Sequence, residues 1–219
     1  MSYEYDYYHE EKEAKYYRPK ISLILFIVGI AFYYTCLYFA TNFAQDMGLG
    51  DSLLWIRYFG IIGLILMAIS LIRLKNIEKH FLVSFVACII YIITGTAWLT
   101  LYALTDFNVI ALTQSIQQAL DIISIINILV EGVLMVFFIL GVHAITDHWR
   151  KLNLIVKIVI VAYIVVTLWN VTDGVLILLQ VAVPDTFIMR VLYKITNILS
   201  FAKLLGAIII IFVAMFSVD

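Results

Sequence analysis

The chain has 219 residues, of which 64% are hydrophobic and only 13% charged, and its formal net charge is -1. Soluble domains carry roughly 25% charged residues, so about half that share, combined with apolar runs longer than about 18 residues, excludes an ordinary soluble domain and implies transmembrane helices. The balanced charge, with no basic stripe and no Gly-rich phosphate loop, excludes nucleic acid as a partner.

Residues 1–19, MSYEYDYYHEEKEAKYYRP, alternate tyrosine with acid before Lys12, Lys15 and Arg18. No period is sustained long enough to bury a face, which predicts a polar cytoplasmic tail without packed structure. Pro19 punctuates the entry to the first apolar run. That run is too long for the core of a signal peptide and follows a tail of both charge signs, so a retained anchor is expected.

From residue 20 to 219 the sequence divides into six apolar spans, at about 20–44, 52–74, 81–104, 117–143, 153–180 and 187–217. At 1.5 Å per residue each crosses a hydrocarbon core of roughly 30 Å. The expected fold class is all-α, a polytopic membrane bundle of six transmembrane helices. Cys36 and Cys88 fall inside apolar spans and form no CxxC, so they read as small buried hydrophobes.

Lys and Arg set the expected orientation. The tail, the second–third connection (Arg73, Lys75, Lys79) and the fourth–fifth connection (Arg150, Lys151) are basic. The alternate connections, QDMGLGD, TDFNV and VPD, hold no basic residue. Both termini are therefore expected in the cytoplasm of a cell-membrane, multi-pass protein. Trp55 and Trp98 read as outer interface anchors and Trp149 as an inner one.

The fourth span organises the polar pattern. Gln114, Gln117, Asp121, Ser124, Asn127 and Glu131 follow one another in steps of three and four, which is one face of a helix. Beyond Glu131 the span is apolar until His143, so the stripe stops halfway. Gly132 beside it admits a neighbouring helix. A carboxylate at the bilayer centre costs roughly 2.5–3.5 kcal/mol on translocon scales, so Glu131 needs a partner or a purpose. Other polar groups expected at similar depth are Arg57 in span two, Asn170 and Asp173 in span five, and Arg190, Lys194 and Lys203 in span six. Together with Asp121 and Glu131 they set three acids against four bases, a sum close to neutral that favours an interior over a lipid-facing placement.

These residues point to a membrane protein that binds or transports a small solute or ion. Its site would be an outward-facing polar vestibule floored by Glu131, with Asp121, Asn127, Asn170 and Asp173 lining it and Arg57, Arg190, Lys194 or Lys203 balancing charge. The competing reading is a structural or accessory subunit, in which the stripe is glue between helices or the seat of a partner helix. Expected partners are the lipid bilayer, a small solute or ion, and a partner membrane protein or a second copy of the chain. Enzymatic chemistry is not expected: there is no GxSxG, no HExxH and no cofactor motif. His143 and Asp147 are one turn apart, but with His80 and His148 they read as interface residues and not as metal ligands.

Overall fold

The computed structural model describes residues 2–39, 54–107, 109–146, 152–179 and 187–217. Among these residues the protein is entirely helical: α1 (Ser2–Tyr38), α2 (Leu54–Leu74), α3 (Lys79–Asp106), α4 (Gln114–Ile145), α5 (Leu152–Leu178) and α6 (Phe187–Ser217). Helices follow from the apolar runs, because hydrocarbon offers no hydrogen-bond partner and each backbone group must be satisfied within its own segment. Five stretches are long and apolar enough to cross a membrane: Pro19–Leu37, Ile56–Leu74, Lys79–Asp106, Gln114–Ile145 and Leu154–Leu178. In α6 the described apolar stretch is Leu205–Met215. The protein is thus an integral membrane protein of several spanning helices.

Where the residues are described, the expected helix boundaries hold within a few residues, with two differences; the end of the first span, expected at about 44, lies outside the described residues. The α4 helix begins at Gln114 because Thr113 caps it, its side chain accepting from the Ile116 N–H at 3.4 Å. The tail, expected to lack regular structure, is helical in its backbone from Ser2 and runs through Pro19 into the first span. Local chemistry explains this: Glu10 to Lys15 reads EEKEAK, strong helix formers with Glu11 four residues before Lys15. The basic-free connection at 45–51, Trp149, and Asp147 and His148 lie outside the described residues.

Consecutive helices pack against one another, and α4 and α1 each also touch α6. The packing is uneven along the bundle. Phe26, Leu71, Leu74, Phe81, Phe138, Ile139 and Val142 are fully buried in one continuous core. All of them lie toward the end where α2 turns into α3. Phe26 of α1 stacks on Phe138 of α4 with centroids 3.6 Å apart, and Phe81 of α3 meets Phe138 edge-on at 5.7 Å. Ser70 donates to the Ser22 carbonyl at 2.5 Å, and Ser84 to the Leu134 carbonyl at 3.0 Å, pinning α2 to α1 and α3 to α4. At the opposite end the described helices are looser. Between Ile92 and Asp106 only Leu99 is buried, and between Gln114 and Glu131 only Leu120 is.

Small residues set the closest helix approach. A Cβ added to Gly63 would sit 2.6 Å from the Gly29 carbonyl oxygen, and one on Gly29 would sit 2.7 Å from that of Gly63. The α1 and α2 backbones therefore touch there, as membrane helices do where side chains are smallest. Gly132 serves likewise for α4 and α5, since a Cβ there would fall 2.5 Å from the Thr167 hydroxyl.

Candidate functional site

The loose end holds a cavity of about 280 Å³ between α1, α2, α3 and α4. The Thr94 hydroxyl of α3 meets the Asn127 side-chain oxygen of α4, which fixes the register of these antiparallel helices. In that register Tyr91 lies near the level of Glu131, and Trp98 near that of Ser124. All of them except Thr94 line the cavity. The packed core begins directly below: Leu64 lines the cavity and is 3% exposed, and Leu134, one turn past Glu131, is 1% exposed. The polar stripe of α4 stops at Glu131 because that is where the four-helix interior closes.

The deep end of the cavity is a carboxylate among tyrosines. The Tyr34 hydroxyl of α1 donates to Glu131 Oε1 at 2.6 Å. The Tyr33 and Tyr91 hydroxyls lie 2.6 Å apart, their rings edge-on with centroids at 5.9 Å. Tyr33, Tyr91 and Glu131 all line the cavity.

Its shallow end is cationic. The Arg57 guanidinium of α2 lies 5.7 Å from the Trp98 ring centroid and 5.9 Å from that of Tyr102, within cation–π range. Trp98 and Tyr102 are themselves stacked, with centroids 5.2 Å apart and planes 9° from parallel. A guanidinium carries five N–H donors, so a cation–π contact does not exhaust its capacity to bind an acceptor. Among the described residues no ion pair joins Arg57 to Glu131; the one recorded pair is His80 with Glu78, at 2.7 Å.

The structure brings three of the candidate residues, Arg57, Asn127 and Glu131, to this cavity. Asp121 lies higher on the same stripe and accepts from Gln117 Nε2 at 2.9 Å. Asn170 and Asp173 are half-buried on α5, while Lys194 is exposed on α6, and none of these three lines the cavity. Lys203 on α6 is also outside it; its ammonium sits 4.8 Å over the ring of Tyr163, a fully buried α5 residue. The Tyr163 hydroxyl has no hydrogen-bond partner among the described residues. Arg190 lies in the first turn of α6, and its side chain is outside the described residues.

The aromatic residues were not singled out by the sequence pattern. Tyr91, Thr94, Trp98 and Tyr102 step by three, four and four along α3, so the face arithmetic that exposed the α4 stripe also marks a matching one here. Trp98, which reads as an interface anchor, also lines the cavity. Tyr33 and Tyr34 sit in the middle of an apolar run, where only the position of Glu131 shows their purpose. Both cysteines are buried, and Cys88 Sγ lies 3.5 Å from the Leu64 carbonyl oxygen. Comparisons of this chain with protein-family models, with characterised proteins and with solved structures find no match.

Proposed function

We propose that this is a six-span cell-membrane protein with both termini in the cytoplasm, which binds and carries a small solute or ion through an outward-facing vestibule. One observation carries the reading: a cavity of about 280 Å³ lined by an acid, an amide and a guanidinium, and closed on one side by a fully packed apolar core. That size is at the lower end of small-molecule sites. Mere glue between helices favours close contact between the polar groups, and not a space bounded by them. The basic residues support the direction. Arg73, Lys75 and Lys79 stand at the packed end, so that end faces the cytoplasm and the cavity faces outward.

The test is a melting-temperature screen of the purified protein against small solutes, repeated with Glu131→Gln and Gly95→Leu. Gly95 lines the cavity, and a Cβ there meets nothing within 4 Å. Leucine at Gly95 therefore starts into open space, takes up volume in the cavity and improves helix propensity by up to about 1 kcal/mol. The expected result is a solute that raises the melting temperature of the unaltered protein and of neither variant, and that accumulates in proteoliposomes. Stabilisation that survives in both variants overturns the site.

The accessory-subunit reading is favoured by one observation, the exposure of Lys194 on the outside of α6. A cation on the bundle exterior calls for a partner or for reach to the headgroups. A stoichiometric partner retained in mild detergent, and lost from Lys194→Leu, supports that reading.

A further inference from the structure

The cavity is bipolar, and its two charged groups do not neutralise each other. Tyr91 and Trp98 are seven residues apart on α3, and so are Glu131 and Ser124 on α4. Seven residues of helix rise about 10 Å. The carboxylate thus belongs to the deep level of the cavity and the guanidinium, beside Trp98, to a level two helical turns shallower, and no ion pair joins them. Each is only half engaged. Glu131 receives one hydroxyl on Oε1, which leaves Oε2 for a donor. Arg57 lies within cation–π range of Trp98 and Tyr102, and its five N–H donors can serve an acceptor in the cavity. Between them the walls are aromatic and amide, from Tyr33, Tyr91 and Asn127. Opposite charges held apart in a low-dielectric site are both under-satisfied, and the ligand that relieves both carries a cation at one end and an anion at the other.

Resting on the vestibule reading above, we infer that the cavity takes a small zwitterion, its cationic group at Glu131 and its anionic group at Arg57. A short ω-amino acid carries both groups on one flexible chain, and glycine and 6-aminohexanoate bracket it in length. The tyrosines at the deep end supply ring faces and hydroxyls to an ammonium.

The experiment measures affinity of the purified protein in detergent for glycine, 4-aminobutyrate and 6-aminohexanoate, with butylammonium and butyrate as single-charge controls. The expected result is that 4-aminobutyrate binds at least tenfold more tightly than either control. Glu131→Gln should then weaken 4-aminobutyrate and butylammonium and leave butyrate unchanged. Arg57→Gln should weaken 4-aminobutyrate and butyrate and leave butylammonium unchanged. The probe series on the unaltered protein stands without either variant folding. Butylammonium binding as tightly as 4-aminobutyrate overturns the zwitterion and retains a solute site, now for a cation; butyrate doing so retains one for an anion. Absence of binding by every probe also overturns the zwitterion, and the broader solute screen with Gly95→Leu then decides the vestibule separately.

Discussion

The Tyr34–Glu131 hydrogen bond joins helices far apart in the chain and is the clearest single link between the site and the fold. Replacing Tyr34 with Phe removes only its hydroxyl, and replacing Glu131 with Leu removes the acceptor at similar bulk. Hydrogen bonds to ionised groups contribute about 1.5–3 kcal/mol in soluble proteins. Membrane interiors give less, about 0.6 kcal/mol on average and about 1.7 at most, because the separated helices find other partners. The 2.6 Å distance and the shelter of the four-helix interior place this bond at the upper end, so the expected coupling is about 1–1.7 kcal/mol. The sign pattern is specific. Tyr34→Phe destabilises the unaltered protein by that amount, and has an effect near zero in the Glu131→Leu background, where the hydroxyl has already lost its acceptor. Reversible unfolding in mixed detergent, followed by far-UV circular dichroism for all four proteins, closes the cycle. A coupling below the roughly 0.3–0.5 kcal/mol scatter of independent sites would refute the claim that this contact holds α1 to α4.

Two further outcomes follow from the packing and the charge pattern. Gly63→Ala should destabilise by about 1–3 kcal/mol through forced separation of α1 and α2, whereas Gly60→Ala should cost little, because its Cβ would stand 3.5 Å from Cys36 and Tyr33, an ordinary contact; equal effects in the same unfolding assay refute the backbone contact. Single cysteines placed at Gln45 and Asp147, in a background lacking Cys36 and Cys88, should react with an impermeant maleimide from outside only at Gln45; labelling at Asp147 in intact cells reverses the orientation.

Part of the site was legible before folding. The α4 stripe from Gln114 to Glu131 is a helical period, and helical period is a local property. Arg57, Asn127 and Glu131 stand out in sequence because charge and amide groups are rare at that depth, and the cavity does contain them. Asn170, Asp173, Lys194 and Lys203 stand out for the same reason, yet they belong to α5 and α6 and line no part of it. Polarity marks which residues avoid lipid without saying which polar residues meet.

By itself the sequence determined the class of protein, the place of the five long apolar helices among the described residues and the halfway end of the α4 stripe, because these depend on hydrophobicity and on spacing within a single segment. Only the tertiary structure decided that α1 to α4 enclose the cavity, and that Tyr34 bonds Glu131 and Arg57 rests on Trp98 and Tyr102. In lipid an apolar side chain is as well placed against a neighbour as against the bilayer, so the apolar pattern carries little information about which faces pack together. That choice was made by the backbone contact at Gly29 and Gly63, the Phe26–Phe138 stack and the Thr94–Asn127 register, each a match between segments distant in the chain.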